Sequence, residues 1–425
     1  MDRPRTDSHP LKVALICHSD TLGGASVVTY RLMHALRSEG VDARMVVFNK
    51  MSNDEYVIPT GQRLRRGATF MSERIGIAMS NGLSRENLFK VSTASAGMPL
   101  HQHPWVKEAD VIALSWINQG LLSLKGIRRL ARLGKPIVWT MHDMWNLTGI
   151  CHHAYECRGY KHSCGNCQFL TGGREQDLSR KVWLKKQKLY ADVPITFVAV
   201  SNWLADCCRK SELMAKADVR VIPNAFPVDS FITKPAIELS GFTMIPAKNV
   251  ILMGAARIDD AIKGVDYAID ALNYIFDNNP QLARESMALF FGEVRDRSIF
   301  NRLRFPHQLT GMVHDGKILR HLYASANVVL STSLYETLPG TLIEGQAAGC
   351  LPVSFGRGGQ SDIIEHKVNG FIAEYKNPIS VAEGIEWALQ ADVDRDALHE
   401  SVRARFSAKS VAQRYMALFE ELLQA

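Results

Sequence analysis

The stretch Lys12–Phe48, KVALICHSDTLGGASVVTYRLMHALRSEGVDARMVVF, decides the fold. An apolar run, Lys12–His18, leads into a turn carrying Gly23 and Gly24. Val27, Val28, Leu32 and Leu36 then recur at the spacing of one helix face, and the pattern stops at Gly40. A second apolar run, Ala43–Phe48, follows at once. Strand, glycine turn, helix and strand in that order predict parallel strands with helices covering the sheet.

The same alternation continues outward. Strands are predicted at Val111–Ser115, Ile137–Met141, Ile195–Val200 and Val219–Ile222, with helices at about Gln119–Leu133 and Ser179–Tyr190. The pattern then restarts with a strand at Val250–Gly254, a helix at Val265–Phe276 and a strand at Ala288–Phe291. Strands at His307–Leu309, Val328–Leu330 and Pro352–Ser354, and helices at Ile318–Ala324, Gly340–Ala348 and Ile379–Leu389, complete the second half. Pro223–Pro246 is richer in proline and weakly patterned, which marks it as the linker. Residues 51–105 have the weakest periodicity. The fold class is α/β, with two doubly wound Rossmann-like domains and ligands expected in a cleft at the carboxyl ends of their strands.

Composition limits the function. In 425 residues, 46% are hydrophobic and 22% charged, which excludes a wholly disordered chain. Lys plus Arg is 50 and Asp plus Glu 43, a net charge of +7. That balance suits a phosphorylated ligand or an anionic membrane surface and is too weak to argue for nucleic acid. Apolar runs such as Val250–Ala256 fall far short of the about 20 residues of a membrane span. The polar segment Met1–Pro10 lacks the apolar core of a signal peptide, so a cytoplasmic location is expected, where eight cysteines are not expected to form structural disulfides.

The loops after the strands carry the chemistry. Gly23 and Gly24 precede a helix whose free N–H groups can meet an anion. His142 opens the loop after Ile137–Met141 and can hydrogen-bond a sugar hydroxyl or shuttle a proton; a structural histidine held by Asp143 is the alternative. Arg257, just past Val250–Gly254, and Lys263, at the start of the next helix, can clamp a diphosphate, although ordinary surface charge has the same signature. The sharpest segment is Tyr335–Glu344, YETLPGTLIE. Its helix opens near Gly340, and Pro339 lacks an N–H, so the amides of Gly340 and Thr341 are placed to hold phosphate. Glu336 can hold sugar hydroxyls and Glu344 a ribose.

These motifs, with Asn224 in the run Val221–Asn224, resemble the retaining glycosyltransferase family 4, of the GT-B fold, in order and spacing over nearly the whole chain. A similar Trp-Thr-x-His-Asp stretch and cysteine cluster occur in bacterial colanic-acid and capsular-polysaccharide transferases. The resemblance implies that Arg257 and Lys263 bind the donor diphosphate, that Glu336 touches the transferred sugar and Glu344 the ribose, and that backbone near Val313 in Leu309–Val313 reads the base. It makes His142, Arg257, Lys263 and Glu336 the catalytic set, and Gly23, Gly24, Asn224, Val313, Gly340, Thr341 and Glu344 donor-binding residues. It also divides the chain into an acceptor-binding domain, 1–235, and a donor-binding domain, 247–407, with the last helix, 408–425, returning to the first. Thr337–Leu338–Pro339 departs from the Gly-Phe-Gly usual in that family.

Two further features stand outside the donor motifs. Asp392-x-Asp394 and Asp394-x-Asp396 lie in a helical stretch with no strand before them and read as solvated charge rather than a metal site. Cys151, Cys157, Cys164 and Cys167 have spacing suited to a structural zinc, with His152, His153 and His162 as substitute ligands; four reduced thiols in a packed loop is the competing reading. The helix bearing Arg180, Lys181, Lys185, Lys186 and Lys188 can rest on anionic lipid or simply present a solvated basic face.

The expectation is therefore a retaining glycosyltransferase in surface polysaccharide assembly. It would use a GDP- or UDP-linked sugar and a saccharide or lipid-linked acceptor, with no catalytic cofactor. A GT-B epimerase and a zinc-stabilised, non-catalytic binding protein are the alternatives.

Overall fold

The computed structural model describes residues 9–61, 63–231 and 247–425. Most of the expected linker, 232–246, and residues 1–8 of the N-terminal segment lie outside the described residues. The chain divides into one unit of residues 1–225 with 411–425 and a second of residues 226–410. The first unit therefore ends at Ala225 rather than at residue 235. The reason is local: Phe226 N–H donates to Phe406 O at 2.9 Å, which ties the start of the expected linker to the second unit.

The first unit is built on seven parallel strands in the order β3-β2-β1-β4-β5-β6-β7. They are β1 (Lys12–Ser19), β2 (Asp42–Asn49), β3 (Val57–Pro59), β4 (Val111–Leu114), β5 (Ile137–Met141), β6 (Thr196–Ala199) and β7 (Asp218–Val221). Val13 pairs with Ala43 on one side and Val111 on the other. Val13, Val46, Ile112, Val138 and Val198 are fully buried, as a sheet covered on both faces requires. The helices are α1 (Gly24–Ser38), α2 (Arg63–Ser80), α3 (Pro104–Glu108), α4 (Leu124–Ala131), α5 (Leu178–Asp192) and α6 (Asn202–Arg209).

The second unit has six parallel strands in the order β10-β9-β8-β11-β12-β13. These are β8 (Asn249–Arg257), β9 (Ser286–Glu293), β10 (His307–Gly311), β11 (Val328–Ser331), β12 (Leu351–Phe355) and β13 (Phe371–Ala373). Its helices are α7 (Val265–Asn278), α8 (Pro280–Glu285), α9 (Gly316–Ser325), α10 (Gly340–Ala347), α11 (Pro378–Gln390) and α12 (Arg395–Phe406). Ile251, Leu272, Phe290, Val353 and Ile385 form its core. The chain ends in α13 (Ala408–Gln424), whose residues from Val411 onward group with the first unit. There Tyr415 is buried with its hydroxyl 2.9 Å from Thr140 Oγ1, and Arg414 Nη2 donates to Val221 O at 2.7 Å.

Three departures from expectation bear on the loops. The helix expected from Gln119 starts at Leu124, because Gln119 and Gly120 have φ of 57° and 86°. A Cβ on Gly120 would lie 2.6 Å from Phe70 N, so the turn is closely packed; Ser123 Oγ then caps α4 by accepting from Gly126 N–H at 3.0 Å. The weakly patterned stretch holds β3 and the 18-residue α2. Finally, β8 runs on to Arg257, with an irregular register between Gly254 and Arg257, and Arg257 pairs with Glu293.

Candidate functional site

In a doubly wound sheet, ligands sit where the strand order reverses, outside the carboxyl ends of the strands. In the first unit that point lies between β1 and β4. The loop after β1 ends at Gly23, which has φ of 90° and opens α1 without a side-chain cap. Among the described residues, nothing beyond the immediate chain neighbours crowds the place where a Cβ on Gly23 or Gly24 would stand. Asp20 anchors this loop by accepting the amides of Met51 at 2.9 Å and Ser52 at 2.8 Å.

His142 directly follows β5. Its Nε2 lies 2.7 Å from Ser115 Oγ, which is 2.6 Å from Thr29 Oγ1, so the ring is tied to the second turn of α1. Burial pulls its pKa from 6.5 to about 4 against the opposing pull of Asp143, which leaves a neutral imidazole at neutral pH. His142 and Asn224 line one small cavity together with Thr140 and Ser115.

Asp143 spends its carboxylate elsewhere: it receives His152 Nδ1 at 2.7 Å, Trp116 Nε1 at 3.0 Å and the Trp145 amide at 2.8 Å. Against the upward push of burial, His152 first, then His153 and the Trp145 amide, hold its pKa down at about 2. His152 Nε2 is 3.0 Å from Ser92 Oγ, so both of its ring nitrogens are engaged. His18, at the end of β1, was missed although the same strand-end rule points to it. Its ring stacks on Phe48 at 5.0 Å, meets Trp116 edge-on at 5.5 Å, and burial lowers its pKa to about 4.

The four cysteines of the expected zinc site fall in the loop after β5, and Cys151 lies within electrostatic reach of Cys157, Cys164 and Cys167. Cys151 is buried, Cys157 is exposed, and among the described residues no group of three or more His, Cys, Asp or Glu is arranged to hold a metal ion. Two of the sulfurs accept backbone hydrogen bonds: Gly149 N–H donates to Cys164 Sγ at 3.2 Å and Gly159 N–H to Cys157 Sγ at 3.3 Å. Burial pushes the Cys167 thiol up to about 11. The basic helix also needs correction at one position. Lys186 faces inward, fully buried, with its ammonium 3.2 Å above the Trp145 ring centre and donating to Thr148 O at 3.0 Å.

In the second unit the crossover lies between β8 and β11, and there a connected row of charges forms. Arg257 Nη2 is 2.7 Å from Asp260 Oδ2. Lys263 Nζ is 2.6 Å from Glu336 Oε1. Burial alone would lower the Lys263 pKa, but Glu336 and Asp260 outweigh it and the net shift is upward. The two loops are tied by backbone: Leu334 N–H donates to Ile262 O at 2.8 Å, and Thr332 Oγ1 donates to Gly264 O at 2.8 Å. A Cβ on Gly264 would stand 2.3 Å from Thr332 O, so a larger residue would part the loops.

The Glu336 loop is braced from below. Gly359 N–H donates to Glu336 O at 3.0 Å, and Cβ atoms on Gly358 and Gly359 would lie 2.2 Å and 2.0 Å from the carbonyls of Glu336 and Thr337. This glycine pair, also missed, lets the carboxylate loop lie against the turn after β12. The loop then enters α10, whose N-cap, Pro339, offers no side-chain hydrogen bond. The first amides of α10, on Gly340 and Thr341, have no carbonyl partner within the helix. Glu344 is half-buried one turn on, with Oε2 3.3 Å from the Tyr323 hydroxyl. Val313 sits in the loop after β10, half-buried. Asp394 caps α12 through the amides of Asp396 and Ala397, a structural use for one of the Asp-x-Asp carboxylates.

Comparison with known proteins finds sugar-transferase families along both halves of the chain. Residues 22–230 match the family described as Glycosyltransferase Family 4, and residues 247–391 match Glycosyl transferases group 1. An uncharacterized glycosyltransferase of Methanocaldococcus jannaschii is 35% identical over 132 residues, which span 30% of this chain and 33% of that one. A candidate colanic acid biosynthesis glycosyl transferase of Escherichia coli is 25% identical over 282 residues, 63% of each chain. The matches thus span about a third to two thirds of these relatives. The Anabaena protein HepE, solved with UDP and glucose, superposes with a TM-score of 0.60 at 16% identity, covering 96% of this chain and 99% of that one. The fold is GT-B, and the chain carries glycosyltransferase domains in both halves.

Proposed function

We propose that the chain is a retaining glycosyltransferase that moves a sugar from a nucleotide diphosphate donor to a saccharide acceptor in surface polysaccharide assembly. The observation that carries this reading is the row Arg257–Asp260 and Lys263–Glu336 at the crossover of the second unit, followed by the uncapped start of α10. Negative charge grows on the leaving diphosphate as the glycosidic bond breaks. Fixed cations and helix amides already in place stabilise that charge without reorganising. Lys263 is held by Glu336, so neither charge is buried alone.

In this mechanism Glu336 also orients the transferred sugar, Glu344 accepts from the ribose hydroxyls, and backbone near Val313 reads the base. The leaving phosphate takes the acceptor proton while an oxocarbenium-like state forms on the same face. His142, neutral at neutral pH, accepts from or donates to a sugar hydroxyl and is not assigned as an obligatory base. HepE was solved with UDP, and the Escherichia coli relative is described in colanic acid biosynthesis; both favour a nucleotide-sugar donor and a polysaccharide product. A lipid-linked acceptor fits the exposed Lys181, Lys185 and Lys188 of α5, which would lie near anionic lipid.

A thermal-shift screen with UDP, GDP and their sugars tests the donor assignment. A nucleotide at about 100 times its dissociation constant adds roughly 2.7 kcal/mol to stability, so one of the two should raise the melting temperature clearly. No shift with any nucleotide or nucleotide sugar contradicts the reading.

A further inference from the structure

A second cavity lies in the first unit, under the cysteine loop and apart from the small cavity lined by His142 and Asn224. It encloses about 340 Å³, within the range of small-ligand pockets. Its back wall is fixed: Asp143 holds the Trp116 indole at 3.0 Å and the His152 ring at 2.7 Å, and the two rings stand 5.4 Å apart. Its rim is aromatic and open, with Phe89 at 63% and Tyr155 at 40% exposure. Lys90 and His153 complete the lining beside the buried Phe169.

Arg74 stands 5.7 Å from the Phe89 ring centre, and Tyr155 lies 6.0 Å from His153 and 6.2 Å from Phe169, so the rim rings are held in place while still presenting exposed aromatic carbon beside the indole. A pyranose ring fits such a surface: its C–H face covers aromatic carbon while its hydroxyls reach polar atoms at the edge. The Asp143 carboxylate is already committed to three donors, which leaves Lys90 as a cationic neighbour for an anionic substituent.

Resting on the glycosyltransferase reading above, we infer that this aromatic cavity, formed by Phe89, Trp116, His152 and Tyr155 with Lys90, binds one pyranose ring of the acceptor saccharide and prefers a ring bearing a carboxylate. Lys90 pairs with the carboxylate as a point charge, and the aromatic faces carry the ring. The cavity draws on residues 51–105 for Phe89 and Lys90 and on the cysteine loop for Tyr155, so both segments act as acceptor-recognition elements.

Saturation-transfer NMR with methyl glucoside, methyl galactoside and the two corresponding methyl uronides, on the intact chain, tests this. The uronides should receive transfer, bind several-fold tighter than the neutral sugars, and lose at least tenfold in affinity in Phe89→Ala and Tyr155→Ala, both exposed positions where the fold should survive. Lys90→Ala should erase the preference for acid while keeping ring binding. No binding of any pyranoside, equal binding of acid and neutral sugars by the wild type, or binding untouched by the aromatic substitutions would overturn it. UDP and GDP titrated in parallel separate the claims: nucleotide binding without pyranoside binding defeats this inference alone, and the reverse defeats the donor reading alone.

Discussion

At residue scale, two buried histidines set an acid limit on stability. His18 and His142 both have folded pKa values near 4 against 6.5 in an open chain. The unfolded chain binds their protons more readily, so their contribution is complete above about pH 6.5 and is lost as the pH falls toward 4. Asp143, lowered from 3.8 to about 2, adds a further loss only below pH 4. Urea unfolding at stepped pH should therefore show stability falling from pH 6.5 to 4, and His142→Gln should flatten part of that limb. A flat profile across the window would contradict the burial of these rings. Glu344 makes a different prediction. A ribose contact is made equally in ground and transition states, so Glu344→Ala should raise KM for the donor with kcat nearly kept.

At element scale, periodicity exposed every strand except the three-residue β3 and β13, because a sheet covered on both faces needs continuous apolar runs, and it gave no bounds for α3, α6, α8 and α12. It failed at α2 for a physical reason. The buried positions of that helix include Glu73 and Arg74, and Glu73 Oε1 accepts the amides of Thr93 at 2.8 Å and Ala94 at 2.9 Å. A helix anchored by a buried ion pair leaves no apolar stripe to read. Lys186 was misplaced in the same way, since a residue type that is almost always exposed here lies over Trp145. In the candidate site, Arg257 and Lys263 could be read from a strand end and the helix start after it, and Glu336 and Glu344 from the turn and helix that open at Gly340. The bracing Gly358–Gly359 pair and the Trp116–Asp143–His152 wall could not, because they depend on contacts between loops distant in sequence. The cysteine loop gives a direct test. Cys151→Ser puts a hydroxyl in a buried site and should cost about 1–3 kcal/mol, whereas exposed Cys157→Ser should change stability by about 0.5 kcal/mol or less. Equal losses, with a melting temperature lowered by chelator, would show that a shared metal ties the sulfurs together.

At the scale of the whole molecule, each unit has its own buried core and its own crossover, and the chemistry divides between them. Neutral histidines and aromatic surface gather at the first crossover, paired cations and a helix start at the second. The central claim is that Arg257 and Lys263 supply the positive charge that the departing diphosphate requires. The direct measurement is nucleoside diphosphate release from the nucleotide sugar identified in the thermal screen, for wild type and Lys263→Ala, each with and without EDTA. Wild-type turnover should persist in EDTA, and Lys263→Ala should lose about 10²-fold or more in kcat, the scale of one preorganised electrostatic contact. Turnover that vanished in EDTA and returned with magnesium or manganese, with Lys263→Ala near wild type, would contradict it.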